Sequence, residues 1–345
     1  MRILLTGFSS QQCGGSPIMK YVTVSSMIRD ALVDAGHEVD NRKYEWNDDL
    51  TPYDAVLIGL VPPLSINGRL VYSGLKAIHD CLTYRVPMMF YVDDPNYYQS
   101  KSQYPTVMRV PERIYRESVY THRPDYATAL ENKSQIVNVV NWMSTNLWPT
   151  VLLPAYEWGD HDEMPRMTTV RHVFADPSAY VPDYPFEIPE QRERTWVIGG
   201  IVNPLEWLGR LNLTWPYEMY GNAKYNTHGK LYEADLVQRF ASTRGVLCQP
   251  RVRTRGTGWW RSRYLFAAKT GSILLGEARD LTPLGDPYTR VTPAEVEQMD
   301  DAGLDQLASE QGKIILDQLW TRERYSAAVD AALKTACDEV DRFRW

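Results

Sequence analysis

A proline-rich stretch, Asp176 to Glu190, carries Pro177, Pro182, Pro185 and Pro189 and cuts the chain in two. On both sides of it short apolar strands alternate with helical spacings, and that alternation limits the fold more than any other feature. Before the prolines, Arg2 to Thr6 reads as a strand, Gly7 to Ser16 as a small-residue loop, and Tyr21 to Ala35 as a helix closed by Gly36. His37 to Asp40 opens a second strand. Asp54 to Leu60 is a buried strand stopped by Pro62-Pro63, Gly74 to Tyr84 a helix, and Pro87 to Val92 another buried strand. Ser134 to Thr145 has helical spacing, and Thr150 to Leu153 and Thr169 to Ala175 read as strands. After the prolines the pattern restarts. Thr195 to Val202 is a strand, Leu205 to Leu211 a helix, Tyr217 to Gly221 a strand, Glu233 to Ser242 a helix and Gly245 to Cys248 a strand. Val291 to Trp345 is mostly helical, with Pro293 opening one helix and Tyr325 to Phe343 forming the last.

Alternating strands and helices of these lengths build parallel sheets covered by helices. Two such arrays imply an α/β protein of two Rossmann-like domains facing each other across a cleft. The 345 residues are too many for one ordinary domain and suit two. An apolar fraction of 44% with 23% charged residues is normal globular composition, so disorder is not expected. No apolar run is long enough to span a bilayer, and MRILLTGFSS lacks the apolar core and cleavage site of a signal peptide. The four cysteines, Cys13, Cys81, Cys248 and Cys337, show no metal-ligand spacing, and free thiols in a reducing cytoplasm are the expectation. A net charge of −6 argues against coating nucleic acid generally but leaves room for a local basic groove.

Chemistry concentrates in three places. Gly256 to Glu277 reads as a glycine-rich loop, a helix with Trp259, Trp260, Tyr264, Leu265 and Ala268 on one face, a Gly-Ser turn and a buried strand. Arg261 and Arg263 fall in the first helical turn, where unpaired N–H groups and two guanidinium forks suit a phosphate or diphosphate; the competing expectation is a surface helix with solvated arginines. Asp93-Asp94 follows the strand Pro87 to Val92, at the edge where open α/β sheets hold their ligands, and offers a general base with an orienting partner, or simply a turn. Lys101 to Pro124 interleaves Arg109, Arg113, Arg116 and Arg123 with Tyr115 and Tyr120, as a solvated lid or a polyanion-binding flap would. The acidic run Asp160-His161-Asp162-Glu163 cannot converge on one ion because its residues are consecutive, so no metal site is expected.

These residues resemble those of the GT-B glycosyltransferases. Arg263, spaced eight residues before Gly271 and an apolar strand, is similar to the donor-site segment of that class, whose arginine contacts the donor diphosphate; Arg261 is a supporting candidate. Within the class the chain resembles the phage DNA glucosyltransferases of the T-even α type. Gln12 to Ser16 matches their donor loop, Gly36 to Val39 their second-strand entry, Tyr217 to Asn222 their YExYGN segment, and Tyr91 to Asp94 their active-site turn. Two departures stand out. Gly258 and Phe266 occupy the places of two glutamates common in retaining members, and Asp93 replaces a histidine.

The resemblance implies an acceptor domain over residues 1–188, a nucleotide-sugar domain over 189–322, and a terminal helix, 323–345, crossing back to the first domain. It implies transfer from a nucleotide-diphosphate sugar, a UDP-sugar, to a 5-hydroxymethylpyrimidine in double-stranded phage DNA, in the host cytoplasm and without a tightly bound cofactor. Asp94 would be the base and Asp93 its partner. Gly14, Gly15, Ser16, Tyr220, Gly221, Asn222, Gln249, Arg261, Arg263 and Glu277 would meet the donor, and the Lys101 to Pro124 arginines and tyrosines would meet DNA. Two rivals stay open: a GT-B enzyme acting on carbohydrate, lipid or protein, and a non-catalytic nucleotide-sugar or nucleic-acid binding module. A two-lobed oxidoreductase fits poorly, since the G-x-G-x-x-G fingerprint is missing.

Overall fold

The computed structural model describes residues 1–7, 24–42, 44, 48–60, 77, 80, 81, 84–92, 151–153, 172–174, 177–199, 205–220, 228, 229, 231, 233–248, 262–276, 281 and 284–339. The first half supplies β1 (Arg2–Thr6), α1 (Val24–Asp34), β2 (Glu38–Asn41), β3 (Ala55–Leu60), β4 (Met88–Val92), β5 (Val151–Leu153) and β6 (His172–Phe174). Its six strands form one sheet in the order β2-β1-β3-β4-β5-β6, every described pairing parallel. The second half supplies β7 (Glu193–Gly199), α2 (Leu205–Leu211), β8 (Tyr217–Tyr220), α3 (Glu233–Ser242), β9 (Thr243–Leu247), α4 (Ser262–Thr270) and β10 (Ile273–Leu275). These strands form a second parallel sheet in the order β10-β9-β7-β8. Helices α5 (Asp286–Thr289), α6 (Pro293–Glu297), α7 (Asp301–Lys313) and α8 (Arg322–Glu339) follow, with a π-helical turn, Ile314–Leu319, between the last two.

The local signals that start these helices are visible in their caps. Thr292 and Glu295 form a reciprocal capping box with Pro293 at the first helical position of α6. Asp300 accepts from the Gly303 N–H at 2.8 Å and opens α7. The apolar spacing of α8 has a destination. Tyr325, Val329, Ala332, Leu333 and Ala336 are all buried and form one stripe. That stripe faces the first half of the chain: Ser326 donates to the Ala31 carbonyl at 2.8 Å, and His37 Nε2 lies 3.0 Å from the Asp330 carboxylate. The last helix therefore crosses back onto α1 and its exit.

The proline stretch is packed rather than merely connecting. Pro177–Tyr180 is a 3-10 turn, and Tyr180 and Val181 are buried. The Tyr180 hydroxyl donates to Asp34 at 2.7 Å, and its ring lies against Tyr325 and under Arg322. Further along, Tyr184 meets Phe266 of α4 edge-on, and the Glu187 backbone exchanges two hydrogen bonds with the Gln238 amide of α3. One end of the stretch is thus tied to the first sheet's helices and the other to the second's.

Two side chains close what the second sheet leaves open. Arg192 donates to the carbonyls of Gly271 (2.6 Å), Phe240 (3.1 Å) and Thr243, and to the Ser272 hydroxyl, placing its charge at the carboxyl ends of both α3 and α4. Burial and the charge of Arg244 push its guanidinium down to about 10, still charged at neutral pH. On the outer side of β10, the Gln311 amide accepts from Leu274 N–H at 2.8 Å and donates to Leu274 and Pro287 carbonyls at 3.0 and 2.9 Å. It does for this strand what a neighbouring strand would do. Gln311→Leu should lower unfolding stability by about 2–4 kcal/mol, since it strands a buried N–H and carbonyl; denaturant melts that match wild type would show that the edge is satisfied in another way.

Candidate functional site

In the second sheet the chain leaves β7 toward β8, then returns across β7 to reach β9. The connections from β7 and β9 therefore depart to opposite sides, and the crevice at the carboxyl ends of these two strands is where such sheets hold ligands. Strand β7 ends there at Gly199, and α4 begins nearby at Ser262 after β9.

Arg263, the second residue of α4, is 6% exposed, and one of its terminal nitrogens donates to the Gly199 carbonyl. Its Nε is buried without a hydrogen-bond partner, and no carboxylate among the described residues pairs with it. A guanidinium held out of water by a neutral acceptor alone is an unusual arrangement, because buried charges normally carry a counter-charge. Here the charge also sits at the positive end of a helix. Two sources of positive potential meet here with no balancing carboxylate among the described residues, an arrangement that suits an anion. The expectation of a surface helix with solvated arginines is overturned at this residue. Residues 263–267 are all buried, so α4 is enclosed on nearly every side instead of presenting one apolar face.

Tyr220, expected at the donor, is the Cα partner of Gly199 across the sheet. Its hydroxyl is already engaged: it donates to Glu218 at 2.6 Å, back along the strand. Burial and then Glu218 raise this phenol to about 12, so it keeps its proton at neutral pH. Burial pushes Glu218 up, yet hydrogen bonds from Arg239 and Tyr220 outweigh it and hold the carboxylate below its ordinary range. Arg239 in turn grips Glu193 through two nitrogens at 2.8 and 2.7 Å. The Tyr220 ring is partly buried against the core and lies 5.0 Å from that of His228.

The first sheet has its own reversal, between β1 and β3. Strand β1 ends at Thr6, and Gly7 follows with φ of 80°. A Cβ on Gly7 would come within 2.9 Å of the Gly59 carbonyl, so only glycine lets the chain turn here against β3. Gly14, Gly15 and Ser16 follow it in sequence. Beside it, Thr6 accepts from the Tyr44 N–H at 3.0 Å and the Tyr44 hydroxyl reaches buried Asp80 at 2.7 Å. Neither Tyr44 nor Asp80 stands in a pattern that sequence reading could have separated from an ordinary helix and loop.

Gly14, Gly15, Ser16, Asp93, Asp94, Arg109, Arg113, Tyr115, Arg116, Tyr120, Arg123, Gly221, Asn222, Gln249, Arg261 and Glu277 lie outside the described residues. Of the expected donor residues, Arg263 and Tyr220 are described, and both meet at Gly199. Cys81, Cys248 and Cys337 are free thiols. Among the described residues no group of three or more His, Cys, Asp or Glu could hold a metal ion, and no helix is long and apolar enough to cross a membrane.

No protein-family model matches the chain, and no curated protein matches it in sequence. Solved structures do match in fold. T4 phage BGT in complex with UDP and Mn2+ aligns with a TM-score of 0.51 at 14% identity, over 99% of this chain and 97% of that one. An aspartate-to-alanine variant of T4 phage BGT in complex with UDP-glucose aligns with a TM-score of 0.51 at 12% identity, over the same 99% and 97%. An alpha-glucosyltransferase in complex with UDP and a 13-mer DNA containing a central A:G mismatch gives 0.45 at 10% identity, over 97% of this chain and 94% of that one. Two parallel sheets with helix-bearing crossovers, a final helix that returns to the first of them, and an alignment running the length of T4 phage BGT identify the fold as GT-B, that of the glycosyltransferases.

Proposed function

We propose that this chain is a nucleotide-sugar-dependent glycosyltransferase that moves a sugar from a UDP-sugar onto a 5-hydroxymethylpyrimidine in double-stranded DNA, working in the cytoplasm of a phage-infected cell. The observation that carries the donor half is Arg263, a buried guanidinium without a carboxylate partner among the described residues, at a helix N-terminus on the carboxyl edge of a parallel sheet. UDP and UDP-glucose in the T4 phage BGT structures agree with a diphosphate at such a place. In this reading residues 1–188 hold the acceptor, 189–322 hold the donor, and the segment from 323 onward ties the second to the first.

The chemistry is a single exchange at the sugar's anomeric carbon. The acceptor hydroxymethyl oxygen forms the new bond to that carbon as its proton passes to Asp94, with Asp93 orienting the carboxylate. The bond from the anomeric carbon to the diphosphate oxygen breaks, and the electron pair leaves with UDP. Charge builds on that oxygen, and Arg263, Arg261 and the N–H groups of Gly14, Gly15 and Ser16 stabilise it. A base inside a duplex has to be turned out to reach the donor, with Arg109, Arg113, Arg116 and Arg123 on phosphates and Tyr115 or Tyr120 filling the gap.

The acceptor half rests on the resemblance of the Tyr91 to Asp94 turn and the basic segment after it to those of the phage DNA glucosyltransferases. It is tested by offering UDP-glucose with 5-hydroxymethylcytosine DNA, 5-hydroxymethyluracil DNA, unmodified DNA and small carbohydrates, and measuring UDP release and sugar on the product. Release with modified DNA alone is the expected result. Release with carbohydrates alone points to the rival GT-B reading, and none with any acceptor points to a binding module. Affinity for DNA should also fall steeply with salt, as phosphate contacts require.

A further inference from the structure

The chain passes between the two sheets twice, outward through Asp176 to Glu190 and back where the π-helical turn runs into α8. In each crossing the side-chain partners change lobes abruptly. On the outward path Tyr180 donates to Asp34 of α1 at 2.7 Å, its ring lies 5.9 Å from that of Tyr325 on α8, and Val181 beside it is buried. This turn also passes close to α4, but the bonds and ring contacts of Tyr180 go to α1 and α8. Two residues beyond Val181 the partners are different. Asp183 pairs with Lys269 of α4, Tyr184 meets Phe266 of α4, and Glu187 bonds Gln238 of α3. Between the two sets stands one exposed residue, Pro182.

The return changes over in the same way. Trp320 is buried with its ring 6.1 Å from that of Tyr264 on α4, and its N–H donates back to the Ile315 carbonyl at 2.8 Å. Arg322, two residues on, lies over the Tyr180 ring, and Ser326 and Asp330 follow onto α1 and its exit. Thr321 stands between as the cap of α8, its hydroxyl accepting from the Arg324 N–H at 3.2 Å. One bond reaches over it, from the Arg324 guanidinium to the Gln318 carbonyl at 2.6 Å. The two change-over points are close in space. Lys269 first, and then the charge of Arg322, hold the Asp183 carboxyl below its ordinary range, so the return bears on the outward path on both sides of Pro182. We propose that Pro182 and Thr321 form a two-point pivot on which the lobes turn, the described residues on either side of each travelling with one lobe or the other. Such a joint is narrow, because element-terminal residues absorb the whole change in torsion and proline fixes its own φ. The pivot concerns neither donor nor acceptor and stands apart from the reaction assigned above.

Two measurements on the full chain test it. Small-angle scattering compares wild type with the double variant Pro182→Gly/Thr321→Gly and with Pro185→Gly, the same exchange three residues away on the side that packs against the second lobe. Glycine frees the backbone, and as the cap of α8 it is nearly as good as threonine. The double variant should expand by roughly 1 Å on a radius of gyration of about 20 Å, and Pro185→Gly should not expand. Hydrogen exchange locates the joint independently. Glu297→Gln weakens bonds to Trp196, Thr214 and Trp215 inside the second lobe. Exchange should then rise severalfold in residues 184–187 and 314–320, and stay within roughly twofold of wild type in 177–181 and 322–339. An exchange profile without a step at 182 and 321, an unchanged radius in the double variant, or equal expansion with Pro185→Gly overturns the pivot. A double variant that does not fold shows the two residues to be structural supports and overturns it as well.

Discussion

Arg263→Ala is expected to fold as wild type does and to lose roughly a hundredfold or more in sugar transfer, the equivalent of about 2.7–4 kcal/mol of transition-state stabilisation. The two halves of that expectation have one cause. The Arg263 side chain is buried, its described partner is a neutral carbonyl, and its Nε has none. Among the described residues, deleting it strands no carboxylate and removes an uncompensated charge, so the fold loses one bond to Gly199 and the packing of the arginine stem. Stability and function should even part company in Arg263→Met, which keeps the volume without the charge and should melt at or above wild type. Saturating UDP should raise the wild-type melting temperature, as any ligand of the native state does, and the rise should shrink in both variants. Thermal melts with and without UDP, beside turnover, measure all of this. A variant that turns over normally would remove Arg263 from the donor site, and one that unfolds would show the arginine to be a structural brace.

The alternation of strands and helices made the fold legible because a buried parallel strand is written in consecutive residues. Helix α3 runs over Glu233–Ser242 just as its spacing predicts, and β1 and α2 also keep their expected bounds. What local pattern could not show was which distant residues share a charge. Arg192 stands in a stretch that reads as plain polar chain, yet it closes two helices whose ends lie about fifty and eighty residues further on. The prolines of Asp176 to Glu190 lie between the last strand of one sheet and the first of the other, but they hid the packing of Tyr180, Val181 and Tyr184, since proline content says nothing of what lies against a segment. Arg263 could be singled out from sequence because a glycine-rich stretch before a helix is a local signal; that its guanidinium is buried against the Gly199 carbonyl could not, since β7 lies more than sixty residues earlier.

Glu297→Ala should be strongly destabilising. The Glu297 carboxylate accepts from the Trp196 indole N–H at 2.8 Å, the Thr214 N–H at 2.7 Å and hydroxyl at 2.6 Å, and the Trp215 N–H at 2.9 Å. It thereby anchors the indole that covers Gly245 and stacks near Trp215 with ring centres 5.3 Å apart. Alanine would leave those donors facing an empty space, at a cost on the order of 3–5 kcal/mol if two or three stay unsatisfied. The carboxylate also makes the loss readable by pH. Burial pushes Glu297 up, but the bonds from Thr214, Trp196 and Trp215 outweigh it, so its folded value lies below the ordinary glutamate range. A depressed carboxylate contributes its stability above the unfolded value, near 4.5, and gives it up as pH falls through the folded one. Wild type should therefore lose stability on acidification below about pH 4.5, and Glu297→Gln should lose less over the same interval, having already surrendered the charge. Denaturant titrations at pH 7 and at stepwise lower pH decide the matter. Parallel pH profiles for the two proteins would mean that the Trp196–Thr214–Trp215 donors are held by something other than this carboxylate's charge.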